Sequence, residues 1–506
     1  MPRRPRADSS RRHPRTSRER ASTRSRASVT ALPATALPDA RLLYDEPALR
    51  SVSEDAESLF CPLEFRYGRA EVRQIFSRGA RLDRALRVEA ALALAEAELG
   101  LVPKADADAI DRAVREHRVT LARADALERE LRHDVMALVR SLAEAAGPSG
   151  RWVHYGATSA DITDTALALE LKESVAILRE DLRELALALV ALARKHRATP
   201  EIGRTHGQHA VPISFGYKMA SAAAEIARHH RRLEELTPRL LVGKMAGAVG
   251  TGAGFGAHAP EVEAGVMRRL GIGVAEAPTQ IVGRDRIAEF ANFMALVAAS
   301  TERLATEVRN LQRTEIGEVM EAFDESKQVG SSTMAQKRNP MLSENVASLA
   351  RLVRAFQLPA LENMIQWHER DLANSANERI ALPHSIVLTD DILRKMAEVF
   401  RTLRVDTDRM AEHLKRSQGN AMTENLMLAL TARGMARADA HERLRTLTRD
   451  AAHGAGLADR AAADPAIATL LTPEEIGELL DPGAYVRAAA AKTDRVVDRI
   501  ESELHR

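Results

Sequence analysis

From Gly330 to Pro340 the chain reads Gly-Ser-Ser-Thr-Met-Ala-Gln-Lys-Arg-Asn-Pro, which sets two adjacent hydroxyls, a cation and an amide in one short stretch. Such groups suit carbanion chemistry. Gly330 lets the backbone approach a ligand closely, Ser331 or Ser332 can give up a proton, and Lys337 with Asn339 can hold a carboxylate. By composition alone the same stretch also reads as a flexible surface loop.

Four further clusters carry reactive or anion-binding groups. His133-Asp134, within a helical stretch, reads as an exposed polar pair or as part of a site. In His154-Tyr155-Gly156-Ala157-Thr158-Ser159-Ala160-Asp161, Thr158 and Ser159 stand just ahead of a long helix, where they can cap it or share its free N–H groups with an anion. Gly203-Arg204-Thr205-His206-Gly207-Gln208-His209 puts two histidines and an arginine in an expected turn before Pro212. The run Trp367 to Arg379 is either a charged helix face with i,i+4 ion pairs or a phosphate cradle built from Arg370, Ser375 and Arg379.

Apolar spacing predicts helices to hold these groups. Apolar residues recur at helical steps over Leu82–Leu101 and Asp108–Ala146, and the pattern breaks at Gly100, Pro103 and Gly147-Pro148. Asp161 to His196 contains neither Gly nor Pro and spans on the order of 50 Å if helical. Asp285 to Asp324 is a second long helical span, interrupted only by Gly317. Helices this long need partners along their whole length, which predicts a bundle that other subunits can extend. Strand-like alternation is almost absent and aromatic residues make up 3%, so the predicted fold class is all-α. The expected division is an Arg-rich tail and extended lead-in over 1–47, a helical domain over 48–162, a central long-helix bundle over 163–405 and a helical domain over 406–506.

Composition bounds the function classes. Hydrophobic residues at 45% with 28% charged residues fit a globular protein, and no run approaches the ~18 apolar residues of a membrane span. Cys61 is the only cysteine, which excludes an intrachain disulfide or a cysteine-based zinc site and points to a reducing, cytoplasmic setting. Residues 1–29 hold ten arginines against Asp8 and Glu19, so this segment carries +8 and the rest of the chain −6 of the net +2. The segment reads as a disordered tail, a transit peptide, or an overextended start ahead of Val29. No basic stripe with interleaved aromatics follows it, so no nucleic-acid partner is expected. Gly-x-Gly-x-x-Ala at 252–257 has no preceding strand, and Gly-x-Ser-x-Gly and His-Glu-x-x-His are both absent, which removes dinucleotide, common hydrolase and zincin readings.

The stretch from Gly330 matches ten of the eleven positions of the aspartase/fumarase signature G-S-S-x-M-P-x-K-x-N-P; Ala335 replaces the proline. With Arg66-Tyr67, His133-Asp134, Gly203–His209, Leu311-Gln312-Arg313-Thr314-Glu315 and Trp367-His368-Glu369-Arg370-Asp371 in the same order, the chain from about Arg66 resembles the adenylosuccinate lyase family of that superfamily. The resemblance implies β-elimination of a nitrogen group from a substituted succinate with release of fumarate, most simply from adenylosuccinate. It assigns Ser331 as the base, His206 as the general acid, Glu344 as the carboxylate that orients it, and Lys337, Asn339, Thr158 and Ser159 as donors to the accumulating negative charge. Arg66, Tyr67, Arg370, Ser375 and Arg379 would hold the nucleotide phosphate. His133, Asp134, His154, Thr205, Gln280 and Met334 would lie beside the substrate. No metal or organic cofactor is implied, and the family's site is shared between subunits of a homotetramer.

Two departures from the pattern leave alternatives open: Ala335-Gln336 for the frequent Pro-His, and His384 where an aspartate is usual. A specialised relative would expel another group, from nitrosuccinate, aspartate or argininosuccinate. Carboxymuconate cycloisomerase is a further possibility, although its usual sequences lack His-Gly-Gln-His. A crystallin-like structural protein is the non-enzyme alternative, opposed by the presence of Ser331, His206, Lys337 and Glu344.

Overall fold

The computed structural model describes residues 60–323, 333–449 and 455–505. The expected Arg-rich tail therefore lies outside the described residues, as does most of the lead-in. The chain is all-α. Its first part carries α1 (Arg78–Glu98), α2 (Lys104–Arg115), α3 (Leu121–Leu131) and α4 (Asp134–Ala146). The continuous helical pattern expected over Asp108–Ala146 is thus cut twice, at His117 and at Arg132, whose φ values of 50° and 55° are left-handed. No regular helix continues through such a residue, so His133 is the N-cap of α4 rather than a mid-helix residue.

The bundle is built from α5 (Ser159–Lys195), α6 (Phe215–Leu240), α7 (Asp285–Leu311), α8 (Met341–Ala355) and α9 (Ser375–Thr402). At 37 residues, α5 is about 55 Å long. It buries Leu171, Leu178, Leu182, Leu185 and Leu189 at helical spacing against α6 and α9. The span expected to run to Asp324 ends at Leu311. Gly317, with φ 65°, turns the chain into a short strand at Val319–Met320 that pairs antiparallel with Arg404–Val405.

Between α5 and α6 the chain forms a hairpin that alternation did not announce: β1 (Pro200–Thr205) pairs with β2 (Gln208–Ser214). Its turn is His206-Gly207, with φ of 54° and 74°. Two consecutive positive-φ residues suit the right-handed twist of a two-residue hairpin.

Beyond the bundle, α10 (Thr407–Arg416) leads into short helices that close their own apolar cluster around Leu426, Leu430, Leu444 and Ile476. The last helix, α11 (Arg487–Leu504), returns to α6 and α5 and places Val497, Ile500 and Leu504 in the bundle core.

Candidate active site

Three helix N-termini open on one cleft of about 960 Å³: α4 at His133-Asp134, α5 at Thr158-Ser159, and α9 at Asn374-Ser375. Each contributes the positive end of a helix dipole; at α4 the Val135 and Met136 N–H groups are themselves taken by Asp134 Oδ1 and His133 Nδ1. Asp161 caps α5 by accepting the Thr158 N–H at 2.9 Å. The same carboxylate is buried, accepts the N–H groups of Ala246 and Gly247, and pairs with the buried Lys244. This contact joins the cleft floor to the glycine-rich strip after Lys244.

Arg370, Arg379, Arg132 and Gln280 complete the cleft. Arg370 donates through Nη1 to Gln280 Oε1 at 3.1 Å, and its Nε is buried without a hydrogen-bond partner. Arg379 donates to Asp134 at 3.2 Å and is largely exposed. Arg284, also in the wall, is neutralised by Asp164 at 2.7 Å and Glu378 at 3.0 Å and is buried, which makes it structural. His133 Nδ1 accepts the Met136 N–H at 3.3 Å, so the neutral ring carries its proton on Nε2. The arrangement suits a doubly charged anion held by helix ends and guanidinium groups.

One chain thus brings together His133, Asp134, Thr158, Ser159, Gln280, Arg370, Ser375 and Arg379. The run Trp367–Arg379 is no continuous helix face: a loop precedes α9, and Ser375 is the first helical residue. His154 is set apart on Glu89, whose buried carboxylate accepts its N–H at 3.1 Å and lies 2.7 Å from Nδ1. Burial opposes the charged ring, but the hydrogen bond and charge of Glu89 hold the imidazole above its ordinary range.

The other candidates lie elsewhere. Asn339 and Glu344 line a separate cavity of about 400 Å³ with Arg309, Asn310 and Arg313. Met334 and Lys337 sit in an exposed turn closed by Lys337 N–H to Met334 C=O at 3.2 Å. Ser331 lies outside the described residues. Thr205 and His206 are exposed at the hairpin tip.

Arg66-Tyr67 is anchored on α9. Gly68 N–H donates to Asp391 at 3.1 Å, Lys395 lies over the Tyr67 ring at 5.2 Å, and Arg69 binds the buried Asp181 and Asp390 at 2.7 and 2.6 Å. A Cβ at Gly68 would come 2.2 Å from Val387, so only glycine fits there. His384 packs against Phe356 with Cys61 Sγ 3.7 Å from its Nε2.

The family model described as "Lyase" matches residues 64–355, and the one described as "Adenylosuccinate lyase C-terminus" matches residues 419–496. An adenylosuccinate lyase from Pyrococcus abyssi is 46% identical over 87% of this chain and 98% of its own length, and one from Methanothermobacter thermautotrophicus is 43% identical over 88% and 99%. The chain belongs to the adenylosuccinate lyase family. Among solved structures, a fumarate lyase from Mesorhizobium sp. BNC1 superposes with a TM-score of 0.78 at 34% identity, covering 85% of this chain and 98% of its own. A 3-carboxy-cis,cis-muconate lactonizing enzyme from Pseudomonas putida gives 0.78 at 33% identity, covering 86% and 98%. Membership of the adenylosuccinate lyase family makes this protein a carbon–nitrogen lyase of the aspartase/fumarase superfamily.

Three features of this family member escaped the sequence reading. Arg132 lines the cleft from a left-handed backbone position, which no pattern signals. Glu89 and Glu96, seven residues apart, lie on the same face of α1 and are 1% and 0% exposed. Their setting in the apolar run Val88–Ala97 was the available clue. Burial, then the charge of Glu89, push the Glu96 carboxyl up to about 8, and both of its oxygens lack hydrogen-bond partners.

Proposed function

We infer that this protein cleaves adenylosuccinate to AMP and fumarate, and that it does so as a cytoplasmic homotetramer in purine biosynthesis. The observation that carries the substrate is the cleft where three helix N-termini meet Arg370, Arg379 and Arg132. It fits a phosphate dianion, a group that a small succinate lacks. Adenylosuccinate lyases 39–46% identical over most of this chain support the same reading.

In the reaction, Ser331 takes a proton from the carbon next to a carboxylate. The bond from the neighbouring carbon to nitrogen breaks with its electron pair passing to nitrogen, and His206 supplies the proton that nitrogen needs. Lys337, Asn339, Thr158 and Ser159 stabilise the charge that accumulates on the carboxylate. Glu344 orients His206 and favours its charged form, as the third member of a triad does.

Within one chain, the phosphate cleft, the Asn339–Glu344 cavity and the hairpin tip are separate places. Their separation supports a site completed by other copies. So does the exposed apolar surface beside the cleft: Ile365, Trp367 and Leu372 are 68%, 75% and 68% exposed. Fumarate release from a panel of substituted succinates tests the proposal. Turnover of adenylosuccinate well above the others is expected; conversion of nitrosuccinate or aspartate alone would overturn it, as would lactonisation of carboxymuconate.

A further inference from the structure

The hairpin that presents His206 is held by buried charges from distant elements, which the elimination chemistry itself does not use. Strand alternation would send Glu201 and Arg204 to opposite faces, but the β1–β2 register shifts between Ile202 and Arg204. The extra residue is on β2, where Ala210 and Val211 lie opposite Gly203 alone, so β2 is the strand that bends. Beside this irregularity the long Arg204 side chain reaches back to Glu201, with 3.7 Å between Arg204 Nη1 and Glu201 Oε1. Gly203 permits the irregularity, since a Cβ there would stand 2.4 Å from the Val211 carbonyl oxygen.

Arg204 also donates through Nη1 and Nη2 to the two oxygens of Glu318, both at 2.8 Å. Glu318 is 0% exposed and also lies 2.7 Å from Nδ1 of the buried His413 on α10. Its backbone carbonyl accepts the Asp406 N–H at 2.9 Å, which fixes the start of α10 to the same point. Burial opposes the charge of Glu318, yet Arg204 and His413 hold its carboxyl below the ordinary range. A second strut reaches β1 through Lys218 of α6, which bridges Glu201 at 2.8 Å and Glu307 of α7 at 2.7 Å. The chain thus places several desolvated charges, each costly when unpaired, on two residues of the strand that leads into a two-residue turn.

We propose that Glu318 and His413 are positioning residues for His206, acting through Arg204 and the end of β1, so that α10 sets the aim of the proton donor. This rests on the reading of His206 as the general acid. A general acid must stand within hydrogen-bond reach of the leaving atom, and an ångström of misplacement costs up to about a hundredfold in rate. Thr205 apart, the candidate substrate contacts lie on other elements, so substrate affinity depends little on this network.

The test is a double-mutant cycle on the full chain with adenylosuccinate. Glu318→Gln and His413→Asn should each lower kcat by about tenfold to a hundredfold with KM changed less than about threefold. Arg204→Lys keeps a charge but not the two-pronged contact, and should fall between these variants and wild type. Combined with His206→Gln, Glu318→Gln should add little further loss, because a misaimed donor is no worse than none. Full multiplicative loss in the double variant overturns the inference, as does unchanged kcat in both single variants. If His206→Gln itself turns over normally, the general-acid reading is what fails. Thermal melts identify a variant that simply unfolds, and His413→Asn then carries the test, since it leaves the Arg204–Glu318 pair intact.

Discussion

The phosphate cleft and the hairpin solve opposite problems. The cleft gathers eight of the candidate residues within one chain and draws part of its positive potential from backbone, through three helix ends beside its arginines. The hairpin presents the exposed imidazole of His206 at its tip and secures it from below with buried ion pairs. Anion binding tolerates small displacements because a helix dipole and a guanidinium act over several ångströms, whereas proton transfer does not. Fold-level scaffolding suffices for the first task, and dedicated struts serve the second.

The sharpest separation of binding from chemistry is at Ser331. Ser331→Ala should abolish turnover, to below a few per cent of wild type, while calorimetry finds substrate affinity within about tenfold. Residual activity above that level would move the role of base to Ser332.

Arg379→Ala probes the cleft itself. Adenylosuccinate should bind more weakly by roughly 2–4 kcal/mol, as expected for losing one partner of a charge-assisted contact. A small succinate without phosphate should be unaffected, when kcat/KM is compared for both substrates on the same variant. Equal losses would make Arg379 a structural partner of Asp134.

Glu96 gives a smaller, pH-dependent effect. Its folded-state pKa is raised to about 8 from 4.5, so the folded protein binds the extra proton and stability falls as pH rises through that window, by up to about 1.4 kcal/mol per unit. Glu96→Gln removes the penalty. Its melting temperature should exceed that of wild type at pH 8, and the gap should close towards pH 4.5; a gap that does not vary with pH would contradict the assignment. The smallest effect belongs to residues 1–29. The family match begins at residue 64, so their deletion should leave kcat/KM and the number of subunits found by light scattering unchanged.

Much of this architecture was legible in the sequence. The uninterrupted apolar stripe from Asp161 gave the longest helix to within two residues at each end, and Gly-Pro breaks marked the end of the first helices. Local backbone reversals were not legible: His117, Arg132 and His206 adopt left-handed conformations that glycine usually signals. The grouping in the cleft was legible only through resemblance, since nothing in the types of Asp134 and Arg379 says that they meet across 245 residues. The buried carboxylates Glu89 and Glu96 were only partly legible for a related reason: the apolar run around them hints at burial, but packing by α5 and its neighbours is what places them inside.

That meeting of Asp134 with Arg379 bears on how the molecule matures during synthesis. One cleft wall is translated early and another only once α9 emerges, so the anion site cannot exist until three-quarters of the polypeptide has been made and its longest-range contacts have closed. Ligand capture thereby becomes a late reporter of folding, and a phosphate-bearing substrate stabilises only molecules whose bundle is already assembled.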